Sequence, residues 1–176
     1  SFQDKADGIS GGVRLFLEFI ITTAVIGGIY IFSDGIDGHL HIPGIPMKAW
    51  FPELSPFVIL PFSILIIVGG ANAVNLTDGL DSLATVPILT SAIFIAAAAY
   101  ISGQFELSSR LKMLFISEEI KELVIFSTVL MGACLAFLKF NSPPASIYLG
   151  DVGSLGLGAT ICAMFIFVKA ELYLPI

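Results

Sequence analysis

Asn72-Ala73-Val74-Asn75-Leu76-Thr77-Asp78-Gly79-Leu80-Asp81 closes an otherwise apolar run with two asparagines, a threonine and two aspartates. From Leu54 to Thr77 there is no charged residue, so the segment predicts a membrane-spanning helix whose last turns become polar and then acidic. Ionisable groups at that depth point to a site. A helix continued through the stretch brings Asn72, Asn75, Asp78 and Asp81 to roughly one face, because residues three apart are neighbours on a helix surface. Gly79 then eases a change of direction between the two carboxylates.

The rest of the chain is built to match. Of its 176 residues 56% are hydrophobic and 12% charged, and the mean hydropathy is +0.96. Soluble domains carry about 25% charged residues, so the composition is that of an all-α polytopic membrane protein in a lipid bilayer. A net charge of −6 excludes nucleic acid as a partner, since no basic patch exists to neutralise phosphates. Cys134 and Cys162 fall in apolar runs and behave as small hydrophobes, not as a disulfide framework.

Hydropathy predicts five spans in a single membrane domain, over 13–32, 56–75, 83–105, 123–138 and 152–168. Arg14 and Glu18 stand near the start of the first, where long side chains reach the interface. Glycines and prolines within 34–46 predict a small surface hairpin or turn, and 106–122 reads as a mixed-charge connector with a short surface helix. Pro61 suggests a kink in the second span, and Ala96–Ala99 a small-residue packing face in the third.

Two spans separate Asp81 from the loop KFNSPPASIYLGD at 139–151, so both segments face one compartment. On that side lie Lys5, Arg14 and Lys139; the other holds Lys48, Arg110, Lys112, Lys121 and Lys169. The positive-inside rule therefore does not favour a cytosolic motif.

Three carboxylates, Asp78, Asp81 and Asp151, thus gather at span ends with Asn72, Asn75 and Asn141. Like charges in a low-dielectric cleft raise one another's pKa unless a cation joins them. Magnesium suits so sparse a set, since it takes one or two carboxylates with phosphate oxygens and keeps several waters. Gly150-Asp151-Val152-Gly153-Ser154 adds a helix entrance where backbone N–H groups and the Ser154 hydroxyl can approach a phosphate, and Tyr148 offers a face for a nucleobase. The plainer readings make Asp81 and Asp151 helix N-caps and the asparagines interhelical hydrogen bonds. His39 and His41, with Asp34 and Asp37, look like a metal cluster, but the span count puts them on the opposite face.

NAVNLTDGLD followed by SLA, and FLKFNSPPASIYLGDVGSLGLGA at 137–159, resemble the phospho-N-acetylmuramoyl-pentapeptide transferases of bacterial peptidoglycan synthesis. GISGG at 8–12 and KAEL at 169–172 stand in family-like positions, so the resemblance covers nearly the whole chain. It implies the central part of an enzyme of about ten spans in the bacterial inner (plasma) membrane. The implied reaction is magnesium-dependent transfer of phospho-MurNAc-pentapeptide from UDP to undecaprenyl phosphate on the cytosolic face, with release of UMP. By resemblance Asp151 holds the metal with Asn72, and Asp78 and Asp81 share the catalytic cleft with it. Asn75, Gly79, Leu80, Asn141, Tyr148, Gly150 and Ser154 contact substrate, Tyr148 standing where the family has a phenylalanine. A homodimer is the candidate assembly.

The departures are specific. The family's adjacent Asp-Asp pair is replaced by the separated Asp4 and Asp7, the family's C-terminal histidine-rich loop has no counterpart, and Ser82 stands where the family has glycine. The 176 residues are therefore expected to be an internal fragment that falls short of the full enzyme. The alternatives are another polyprenyl-phosphate N-acetylhexosamine-1-phosphate transferase and, from a different class, a transporter segment whose carboxylates bind a cation.

Overall fold

The computed structural model describes residues 10–32, 54–111 and 113–174. The turn expected at 34–46, with His39 and His41, and the segment holding Asp4 and Asp7 lie outside them. The described residues form helices joined by turns and loops, with no strand among them: α1 (Gly11–Phe32), α2 (Pro56–Thr77), α3 (Thr85–Ser102), a short α4 (Phe105–Arg110), α5 (Glu122–Asn141) and α6 (Gly150–Phe167). Single 3-10 turns occupy Glu118–Lys121 and Glu171–Tyr173. All but α4 are long and apolar enough to cross a membrane.

The ends differ from the hydropathy reading where local chemistry intervenes. The third span stops at Ser102, and Gly103 and Gln104 lead into α4, the short helix expected of the connector. At its other end α5 continues to Asn141 and halts where Ser142 turns extended before Pro143-Pro144, since proline cannot extend a helix and forces its predecessor out of it. Beyond α6, Lys169 adopts φ 54°, while its N–H bonds Ile166 and that of Ala170 bonds Phe165. This is a Schellman cap with lysine where glycine is usual.

The principal seams are antiparallel, α2 against α6 and α3 against α5, with α1 lying against α2. Ile88, Ala92, Ile95, Ala98 and Ala99 of α3 pack on Leu130 and Cys134 of α5 and on Ile161 and Phe165 of α6. Of the expected alanine face, Ala98 and Ala99 enter the core, while Ala97 is exposed. Much of the remaining apolar surface, including Phe16, Ile21, Phe57 and Val152, points outward as lipid-facing residues do. Without a hydrophobic force between spans, association rests on close packing, and glycine supplies it in the α2–α6 seam. A methyl on Gly158 would lie 2.8 Å from Ala71 Cα and 3.0 Å from the Gly70 carbonyl oxygen, so the two backbones are in contact.

Candidate functional site

The close α2–α6 seam carries its register into the polar ends of both helices. The α2 helix stops at Thr77, and Asp78 is its C-cap rather than one more step along a face. The helical continuation through Asp81 therefore fails: turns at 78–84 redirect the chain, and the four polar residues divide into two groups. Asn72, Asn75 and Asp78 turn toward α1 and α6, while Asp81 accepts a hydrogen bond from the Ala145 N–H at 3.0 Å.

Asn75 is the hub of the first group. Its Nδ2 donates to Asp151 Oδ1 at 3.1 Å and to Ser154 Oγ at 2.9 Å, joining the two motifs directly. Ser154 is fully buried and donates back to the Gly150 carbonyl at 2.9 Å. Asp151 lies in the first turn of α6, where a carboxylate interacts favourably with the helix dipole. Neither aspartate is an N-cap: those positions belong to Ala84 and Leu149.

Gly150 has φ +68°, a conformation costly for any residue with a Cβ, and its backbone N–H acts on the Asp78 carboxylate. Burial raises the Asp78 pKa above its ordinary 3.8, the Gly150 hydrogen bond opposes that, and the neighbouring Asp151 charge raises it again. Asp78 and Asp151 are thus a repelling pair of oxygen donors. Among the described residues no group of three or more His, Cys, Asp or Glu could hold a metal by itself. Asn72 gives its Nδ2 to Glu18 and to the Val68 carbonyl.

Arg14 and Glu18 belong to the site, not only to the interface that their place near the start of the first span suggests. Arg14 Nη1 meets Asp151 Oδ2 at 3.1 Å, and its Nε faces Glu18 Oε1 at 3.6 Å. Opposite charges four apart in an otherwise charge-free span were the available signal.

The second group is a buried knot. Asn141 accepts from the Ser82 N–H at 3.0 Å and the Thr85 hydroxyl at 3.1 Å, and its Nδ2 donates to the Ile147 carbonyl at 2.9 Å. Ser82 has φ 64° and donates its hydroxyl to the Asn141 carbonyl at 3.0 Å. A left-handed backbone at this position is what a glycine there would serve. Gly79, Leu80 and Tyr148 are exposed around the mouth, Tyr148 immediately before the Leu149-Gly150 entrance to α6.

Residues 1–169 match the family described as glycosyl transferase family 4. The chain is similar to the phospho-N-acetylmuramoyl-pentapeptide-transferase of Bartonella quintana, with 43% identity over 96% of this chain and 46% of the relative. Its likeness to the enzyme of the same name from Desulfotalea psychrophila is 41% over 99% of this chain and 47% of the relative. The corresponding figures for that of Pelagibacter ubique are 40%, 98% and 47%. The chain therefore spans about half the length of the curated relatives it matches.

Proposed function

The chain belongs to glycosyl transferase family 4, and from that premise we propose that the protein transfers phospho-MurNAc-pentapeptide from UDP to undecaprenyl phosphate. The phosphorus–oxygen bond to UMP breaks, and a bond to the polyprenyl phosphate forms. The observation that carries this reading is the direct hydrogen bonding of Asn75 to Asp151 and Ser154. It joins two separately encoded motifs into one polar mouth at the end of a membrane bundle, where a soluble nucleotide and a lipid phosphate can meet.

The donor set fits magnesium. Two repelling carboxylates without a third suit a cation that completes its shell with phosphate and water. Asp151 and Asp78 would hold it, with Asn72 nearby through Glu18, and bound magnesium would neutralise charge developing on the transferred phosphoryl group. The chain's own residues position the rest. Asn75 and Ser154 orient Asp151, Gly150 holds Asp78, and the exposed Tyr148 ring is free to stack on a base. Asp81, Gly79 and Leu80 would line the nucleotide side. Asn141 would act there by fixing the loop that carries Tyr148. The mouth faces the cytosol of a bacterial inner membrane in this reading, since UDP-sugars are soluble there, and a homodimer is the proposed assembly.

The test is turnover of UDP-MurNAc-pentapeptide with undecaprenyl phosphate by the detergent-solubilised full-length protein, with and without magnesium. Magnesium-dependent lipid-linked product, lowered about 100-fold or more by Asp151→Asn, is expected. Absence of product from the folded wild type with both substrates supplied overturns the assignment.

A further inference from the structure

Both oxygens of Asp151 are engaged by protein donors, Oδ2 by Arg14 and Oδ1 by Asn75. A divalent cation arriving at Asp151 must compete with the guanidinium. Arg14 has a second anion within reach: Glu18, one turn along α1, has Oε1 at 3.6 Å from Arg14 Nε. Both of those atoms are buried and neither has a hydrogen-bond partner. The other Glu18 oxygen is held by Asn72 of α2, so the carboxylate is fixed in place as a receiver. A buried donor and acceptor that face each other without bonding gain a charge-assisted hydrogen bond from a small movement.

We propose that Arg14 is a tethered counter-cation, which covers Asp151 before the metal arrives and transfers to Glu18 when the metal binds. The proposal rests on the metal-at-Asp151 reading above and adds the exchange. Without the metal, Arg14 relieves the repulsion between Asp78 and Asp151. With it, the Arg14–Glu18 contact closes and keeps the displaced positive charge beside the mouth, where an anionic substrate arrives. Metal affinity is then set by a competition within the protein, and Glu18 contributes by receiving Arg14 rather than through its field alone.

The experiment is equilibrium binding of Mn²⁺, followed by the paramagnetic resonance of the free ion, to full-length protein in detergent without nucleotide or lipid. Arg14→Gln is expected to tighten binding about tenfold, and Glu18→Gln to weaken it severalfold, as the loss of one partly exposed charge interaction allows. In the double variant Glu18→Gln should have almost no further effect, the signature of two residues acting through one another. Unchanged or weaker binding in Arg14→Gln, or an equal Glu18→Gln penalty in both backgrounds, overturns the exchange. Absence of Mn²⁺ binding in the wild type, or binding indifferent to Asp151→Asn, overturns instead the metal placement beneath it. Should Arg14→Gln not fold, Arg14→Lys serves. It keeps a cation but lacks the fork that reaches both carboxylates, and an undiminished Glu18→Gln penalty in that background also overturns the proposal.

Discussion

Asn75 and Asn141 hold corresponding positions in the two halves of the bundle and do different work. Each stands near the site-side end of a helix and bonds across a seam, Asn75 from α2 to α6 and Asn141 from α5 to the segment that opens α3. Asn141 is buried, accepts from a backbone N–H and a hydroxyl and donates to a backbone carbonyl, all neutral partners. Asn75 is half-buried and gives its amide to a carboxylate and a serine at an open mouth. The first arrangement ties down a loop, and the second orients the carboxylate that the proposed function makes reactive. The same side chain in the same kind of segment is thus structural or functional according to what it faces.

The strongest test of this contrast is to remove each amide. Asn141→Ala strands Ser82 N–H, Thr85 Oγ1 and the Ile147 carbonyl, and should cost about 2 kcal/mol or more, visible as a lower thermal midpoint in detergent. Asn75→Ala should leave that midpoint within about 1 kcal/mol of wild type while cutting turnover about 10–100-fold, as loss of an orienting partner does. The reverse pattern would dissolve the distinction.

Next in size comes the seam itself. Gly158→Ala forces apart backbones already in contact and should cost about 1–3 kcal/mol, with turnover falling because Asn75 and Asp151 meet at its end. Gly156→Ala, whose new methyl meets nothing within 4 Å, should be neutral or stabilise by up to about 1 kcal/mol. Parallel thermal melts of the two variants compare close approach with helix propensity.

The pH dependence is smaller. Because the Asp78 pKa is raised by folding, the unfolded chain releases this proton first. Stability from this group is therefore present at acid pH and is lost as pH rises from 3.8 through the higher folded value, remaining lost above it. Asp78→Asn should abolish that part of the pH profile and slightly stabilise the protein at neutral pH, in denaturation curves taken across the acid range, while lowering turnover. The smallest effect expected is that of Ser82→Gly. Relief of a left-handed φ worth about 1 kcal/mol opposes loss of the hydroxyl bond to Asn141 of similar size, leaving melting nearly unchanged.

Much of this was legible in the chain alone. Span count, the shared side of the two motifs and the family followed from hydropathy and motif wording, because a charge-free run of about 20 residues has few other fates and each span crosses once. Span ends were less legible, since they depend on caps and prolines that hydropathy averages away. The single-face arrangement of Asn72, Asn75, Asp78 and Asp81 failed because helical spacing was extended through a segment in which the helix stops at Thr77.

What the sequence determined is the set of groups at one end of a membrane bundle: the carboxylates, the asparagines, the glycine-flanked Asp151 and the exposed tyrosine. Tertiary structure alone decided their partners. It split Asp78 from Asp81, turned Asn141 inward and Asn75 toward Asp151, and brought Arg14 and Glu18 from a distant helix into the site. The physical reason is that hydrophobicity is a property of a segment, whereas a hydrogen bond or an ion pair belongs to two groups from different segments. Their meeting depends on how closely helices pack, here on a glycine at position 158.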